Sequence, residues 1–150
     1  MKTLLLVIGM GLVIIQANAQ KMNAKDVPAN VKSSLEKNYI AKDVDWDKEG
    51  ANYEASFEQK GTEISVVFDG TGSILETERE IKKSALPSTI LEALKKDYAD
   101  FELEEAARIE TKGVITYETE VEKGKMSLEL VFDANGKLIK KEVIEEEDKD

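Results

Sequence analysis

Residues 53–72 read YEASFEQKGTEISVVFDGTG, and residues 117–136 read YETEVEKGKMSLELVFDANG. At an offset of 64, Tyr53-Glu54 meets Tyr117-Glu118 and Phe57-Glu58 meets Val121-Glu122. Val67-Phe68-Asp69 meets Val131-Phe132-Asp133, Gly72 meets Gly136, and Glu78 meets Glu142. Upstream, Val27-Pro28, Val31, Leu35, Lys37 and Tyr39 match Leu86-Pro87, Ile90, Leu94, Lys96 and Tyr98 at an offset of 59. Five residues are therefore inserted in the second copy, between its start and its shared strands. One supersecondary unit used twice leaves this kind of internal self-similarity. The first copy, 27–85, has eight basic and twelve acidic residues; the second, 86–144, has nine and thirteen, so each carries −4.

Each unit reads as one helix followed by strands. Val27, Val31, Leu35 and Tyr39, like Leu86, Ile90, Leu94 and Tyr98, recur at helical spacing and make a narrow apolar stripe. Pro28 and Pro87 suit a first turn, where the missing N–H is no loss. Downstream the period changes to two: Tyr53, Ala55 and Phe57 alternate with Glu54, Ser56 and Glu58, and Tyr117, Thr119 and Val121 with Glu118, Glu120 and Glu122. Ile64, Val66, Phe68 and Leu128, Leu130, Phe132 continue the pattern. Such alternation predicts antiparallel strands with one packed face and one wet face. Val44 and Trp46 open an earlier strand, and Phe101, Leu103, Ala107 and Ile109 predict its longer counterpart. Lys60-Gly61, Gly124-Lys125, 69–72 and 133–136 are the turns. The expected class is α+β: a tandem repeat of a helix packed on a four-stranded antiparallel sheet. The two sheets either join as one continuous eight-stranded curved sheet or stay separate.

The ends of the chain read as an address and a tail. Residues 1–19 combine Lys2, an apolar run and Ala17-Asn18-Ala19, the pattern of a signal peptide cleaved after Ala19. The expected destination is the periplasm or the exterior, with no membrane span after cleavage. Residues 20–26 form a polar lead-in, and the run EEEDKD at 145–150 reads as a solvated acidic tail.

Composition removes several chemistries. The 150 residues include no His and no Cys, and 31 Asp+Glu outweigh 21 Lys+Arg for a net charge of −10. Zinc sites built on His or Cys, thiol catalysis, disulfides and Ser-His-Asp triads are impossible. A chain this acidic makes a poor nucleic-acid partner. No cofactor or metal motif stands out; 69–72 and 133–136 lack the ligand spacing of a calcium loop. Without these groups the reading is non-enzymatic.

The doubled pattern, VP…V…L…Y…W…YE..F…VVFD..G.ILE.E and LP…I…L…Y…YE.EV…LVFDANGKLIKKE, resembles the PepSY-like proteins related to the beta-lactamase-inhibitor fold, which are common in Bacteroidota. The resemblance implies an exported protein of tandem helix-and-sheet units. It also implies a protein-binding role, since named relatives inhibit beta-lactamases through the concave sheet surface and PepSY domains occur in protease propeptides. The absence of cysteines departs from the lactamase inhibitor's disulfide-braced loops.

The surface marked out is the wet sheet face. Glu54, Glu58 and Glu63 should point the same way as Glu118, Glu120, Glu122 and Glu129, with Lys60, Lys123 or Lys125 relieving their repulsion. Glu54, Glu58, Glu118, Glu120 and Glu122 are the candidate partner-binding residues. They suit an unknown protein or peptide with a basic surface, so that the chain would inhibit or modulate an envelope peptidase or another protein. The alternative is a cation-binding or envelope-stress protein with no specific protein partner.

Overall fold

The computed structural model describes residues 20–144; the expected signal peptide and acidic tail lie outside them. Nine strands follow one another as a meander in a single antiparallel sheet. They are β1 (Gln20–Met22), β2 (Asp45–Glu49), β3 (Asn52–Gln59), β4 (Thr62–Phe68), β5 (Ile74–Glu80), β6 (Glu102–Thr111), β7 (Val114–Lys123), β8 (Met126–Asp133) and β9 (Leu138–Ile144). Helix α1 (Ala29–Asn38) precedes β2, and α2 (Ser88–Asp97) precedes β6. The two expected four-stranded sheets join through β5 and β6, which pair from Glu76↔Thr111 to Glu80↔Ala107. The lead-in adds the ninth strand: β1 pairs with β2, Met22 opposite Trp46.

Both helices lie on one face, each over its own core. Val31 and Leu35 of α1 pack with Trp46, Ala55, Phe57, Ile64, Val66 and Phe68; Ile90 and Leu94 of α2 pack with Ala106, Val121, Leu128, Leu130 and Phe132. Phe68 and Phe132, one repeat apart, are among the largest fully buried side chains. Burying an aliphatic or aromatic side chain contributes about 1.5–3 kcal/mol, so these paired clusters stand in for the missing disulfides. Tyr53 and Tyr117 are half-buried against equivalent places in the two cores. Pro28 and Pro87 sit one residue before the helices, and each carbonyl accepts from the N–H groups three and four residues on.

The repeat extends to atomic detail. Gly72 and Gly136 have φ of +85° and +81°, and a Cβ on either would stand 2.7 Å from Asn30 O or 2.5 Å from Thr89 O. The turn after β4 is thus pressed against the first turn of α1, and the turn after β8 against that of α2. Asn30 Nδ2 donates to Gly70 O at 2.8 Å, and Thr89 Oγ1 donates to Ala134 O at 3.0 Å. The Asp69 carboxylate accepts from the N–H groups of Thr71 and Ser73, and that of Asp133 from those of Asn135 and Lys137. These hydrogen bonds make both segments side-chain-braced turns. The ladder also slips in the same place twice, between Val67 and Phe68 and between Val131 and Phe132.

One slip has no counterpart. Between Leu103 and Glu105 the β6–β7 register shifts, which leaves Glu104 unopposed as a bulge residue. Leu103 and Ala106 therefore pack under α2, while Ala107 and Ile109 face the opposite side. The sequence pattern had placed Leu103, Ala107 and Ile109 on one strand, and the bulge separates their faces. Among the described residues no helix is long and apolar enough to cross a membrane.

Gly72→Ala and Gly136→Ala should each destabilise the protein by about 2 kcal/mol or more, from the left-handed φ and the collision with the helix carbonyl. Gly70→Ala, whose Cβ would meet nothing within 4 Å, should cost far less. Urea midpoints of the three variants check this.

Candidate functional site: the helix-free carboxylate face

Strand registers put the five sequence-predicted glutamates on one face, opposite the helices. Glu54 pairs with Val67, and Glu58 with Glu63; Glu118 pairs with Ala107 and Val131, and Glu120 with Glu129; Glu122 lies opposite Glu102 and Ser127. Their environments differ. Glu58 is exposed, Glu120 and Glu122 are half-buried, and Glu54 and Glu118 are buried at 6% and 7% exposure.

The expectation of a uniformly wet face is therefore wrong at its centre. Glu76 and Glu78 of β5 and Glu129 of β8 are buried too, among Val67, Ala107, Ile109 and Val131. The physical reason is that a curved sheet crowds the side chains of neighbouring strands on one face. Valine, isoleucine and alanine there strip water from the carboxyls between them.

Burial dominates the electrostatics. It lifts Glu78 to about 8, with Glu76, Glu129 and Glu54 adding to the rise, and Glu118 to about 9, with Glu78 and Glu129 adding and Lys140 opposing. Burial lifts Glu129 to about 7 despite Lys140, and Glu49 to about 7 with help from Glu54. Glu54 and Glu76 are also raised by burial, partly offset by hydroxyl donors: Ser65 Oγ to Glu54 at 2.6 Å and Thr111 Oγ1 to Glu76 at 2.7 Å. Glu78 and Glu118 hold protons near neutral pH because an isolated buried charge costs more than neutralisation. Glu78 Oε1 and Glu118 Oε2 are buried with no hydrogen-bond partner.

Relief comes from a lysine other than those expected. Lys140 Nζ on β9 lies 3.5 Å from Glu129 Oε1 and 3.1 Å from Glu142 Oε1. Lys123 instead reaches Asp100, at 2.9 Å. Sequence reasoning missed Glu49, Glu76 and Glu78. Period two along 76–80 would have found the last two, but the slip between Val67 and Phe68 hid which face β5 presents. A separate cavity of about 270 Å³ lies on the helix side, lined by Leu91, Leu94, Tyr98, Phe101 and Leu103 among others. It is apolar and holds none of the carboxyl cluster. Among the described residues no group of three or more acidic side chains is placed to hold a metal ion.

The raised carboxyls fix the sign of the pH dependence. Their unfolded values lie near 4.5 and their folded values near 7 to 9, so the folded state binds more protons between those limits. Their stabilising contribution is complete below about pH 4.5 and is lost as pH rises through 7 to 9. Each carboxyl held protonated costs on the order of 1 kcal/mol per pH unit crossed. Urea midpoints should therefore fall from pH 5 to pH 9, and Glu118→Gln, a permanently neutral mimic, should flatten the decline.

The chain matches the family model described as "Putative beta-lactamase-inhibitor-like, PepSY-like" over residues 13–76 and 51–140. Solved structures share the fold. A BLIP-like protein of Bacteroides fragilis is 25% identical, with a TM-score of 0.64 over 81% of this chain and 89% of that one. A DUF2874 family protein of Bacteroides ovatus is 24% identical, with a TM-score of 0.68 over 77% and 86%. Another of Bacteroides uniformis is 21% identical, with a TM-score of 0.71 over 77% and 88%. No curated protein matches the chain in sequence. With a family match reaching across both helices and nearly every strand, this chain belongs to the beta-lactamase-inhibitor-like, PepSY-like family.

Proposed function

We propose that this chain is an exported, non-catalytic binding protein whose helix-free sheet face receives a protein or peptide partner with a basic surface. Residues 1–19 would direct export and be removed, and units 27–85 and 86–144 would act as one surface. One observation carries the reading: the face is crowded with carboxyls, from Asp47 and Glu49 on β2 to Glu142 on β9, while the strand cations on it are Lys21 and Lys140. Such a field attracts and orients a cationic partner and repels acidic ones. Glu58, Glu120 and Glu122 form the accessible part of the face, and Glu54 and Glu118 its buried floor. The inhibitor-like family and the BLIP-like neighbour support a modulating role, inhibition of an envelope peptidase or another protein included.

The test is site-specific photocrosslinking in the native host. Crosslinkers at Glu58 and Glu120 should trap one discrete partner, and a crosslinker at Glu36 on α1 should not. Glu58→Lys with Glu120→Lys should lower the partner's affinity at least tenfold while circular dichroism stays unchanged. Equal trapping from Glu36, or unchanged affinity in the double variant, would reject the face.

A further inference from the structure

The two halves match in packing and differ in charge at one decisive place. At the offset of 64, Glu118 corresponds to Glu54, Glu142 to Glu78, and Lys140 to Glu76. In the second half the ammonium of Lys140 sits between Glu129 and Glu142. In the first half the equivalent strand position carries a further carboxyl. Glu54 and Glu76 receive hydroxyl hydrogen bonds there, each to one oxygen. Glu78, 2% exposed, keeps a buried oxygen without any partner, and across β6 Glu118 keeps another.

The surroundings sharpen the contrast. The charged groups that act on Glu78 are Glu76 of its own strand, Glu129 of β8 and Glu54 of β3. Every one is acidic. Lys140 is bonded to Glu129 and Glu142 and its charge is felt by Glu118, but it is not among the groups acting on Glu78. Lys21 stands opposite Asp47 at the β1 edge and is exposed. Arg79, although on β5 beside Glu78, pairs with Ile64 and Arg108 and so belongs to the helix-bearing face. Leaving a buried acceptor unmatched is costly, and a donor supplied from outside the chain would offset that cost.

From this asymmetry we infer that Glu54, Glu76, Glu78 and Glu118 form a seat for one cationic side chain, a guanidinium or ammonium group of a bound partner, at the place where the second half uses Lys140. The seat deepens the face-binding reading and rests on it. A guanidinium suits it better than an ammonium, since its planar array of donors can meet two carboxyls at once. Binding there converts protonated carboxyls to carboxylates, so it releases protons, and affinity rises with pH up to the range where Glu78 and Glu118 ionise on their own.

The experiment uses blocked Gly-Arg-Gly as probe, with blocked Gly-Gly-Gly and Ca²⁺ beside it, and follows the side-chain carboxyl carbons of Glu54 and Glu78 by NMR. The wild-type protein should show saturable shifts with the arginine peptide at millimolar concentration and none with the glycine peptide. Glu76→Lys places the second half's lysine in the first. It should raise the urea midpoint at pH 8, lower the Glu78 pKa by at least one unit, and weaken the arginine peptide at least tenfold. Glu78→Gln, a milder change, should also weaken it, and Glu58→Gln should not. Absence of saturable shifts, shifts shared by the glycine peptide, or undiminished binding in both Glu76→Lys and Glu78→Gln would overturn the seat. Saturation by Ca²⁺ at lower concentration than the peptide would replace it with a cation site. If the crosslinked partner still binds Glu76→Lys but is lost in Glu58→Lys with Glu120→Lys, the seat falls and the face-binding reading stands.

Discussion

A single antiparallel sheet has two faces, and the strands of this protein cannot serve one without fixing the other. Phe57, Val66, Phe68, Leu128, Leu130 and Phe132 must be covered, and α1 and α2 cover them. Because side chains alternate along a strand, that choice sends Glu54, Glu76, Glu78, Glu118 and Glu129 to the other side together. A one-residue slip would bury glutamates beneath the helices. The register is held at the helix ends, where Gly72 and Gly136 let the turns press on carbonyls of α1 and α2. Packing on the helix side thus determines the electrostatics of the free side.

The free side is costly to maintain. Like carboxyls on neighbouring strands repel, and partial burial removes the water that would screen them. The protein keeps them by leaving several protonated, by hydroxyl donors from Ser65, Thr111 and Ser127, and by Lys140. None of these devices supports the hydrophobic cores, which lie on the opposite face. A fold concerned only with stability would fare better with Thr or Val at these positions. The arrangement is the sort of local inconsistency that marks a working surface, where sequence agrees with fold everywhere except at the site.

How much of this could be read in the sequence follows from which signals are local. The helices, the alternating strands and the paired turns are governed by spacing within a few residues, and Val31, Leu35, Ile90 and Leu94 fall where the stripe put them. The shared orientation of Glu54, Glu58, Glu118, Glu120 and Glu122 came from the same alternation. What escaped depends on relations between distant strands. The bulge at Glu104 turns Ala107 and Ile109 away from Leu103, and the slip after Val67 conceals that Glu76 and Glu78 join the cluster. Burial of the central carboxyls escaped for a similar reason: curvature is a property of the whole sheet, absent from any single strand. The strand at 20–22 was illegible as well, because three polar-flanked residues gain strand geometry only from the edge they join.

The tandem repeat makes the asymmetry of the face informative. Two copies under the same packing demand have kept Tyr53 and Tyr117, Phe68 and Phe132, Asp69 and Asp133, and the glycines against the helices. Their charges on the free face have diverged: Ser65 stands where the second half has Glu129, and Glu76 where it has Lys140. The second half is internally neutralised, with Lys140 bridging Glu129 and Glu142. The first half concentrates uncompensated carboxyls on β3 and β5, beside the junction with β6. Core packing cannot explain the difference, because none of these side chains belongs to either apolar cluster. The two halves therefore share one scaffold but present unequal surfaces. The two buried carboxyl oxygens without a hydrogen-bond partner, Glu78 Oε1 and Glu118 Oε2, come one from each unit, so a cationic group seated between them would touch both copies of the repeat at once.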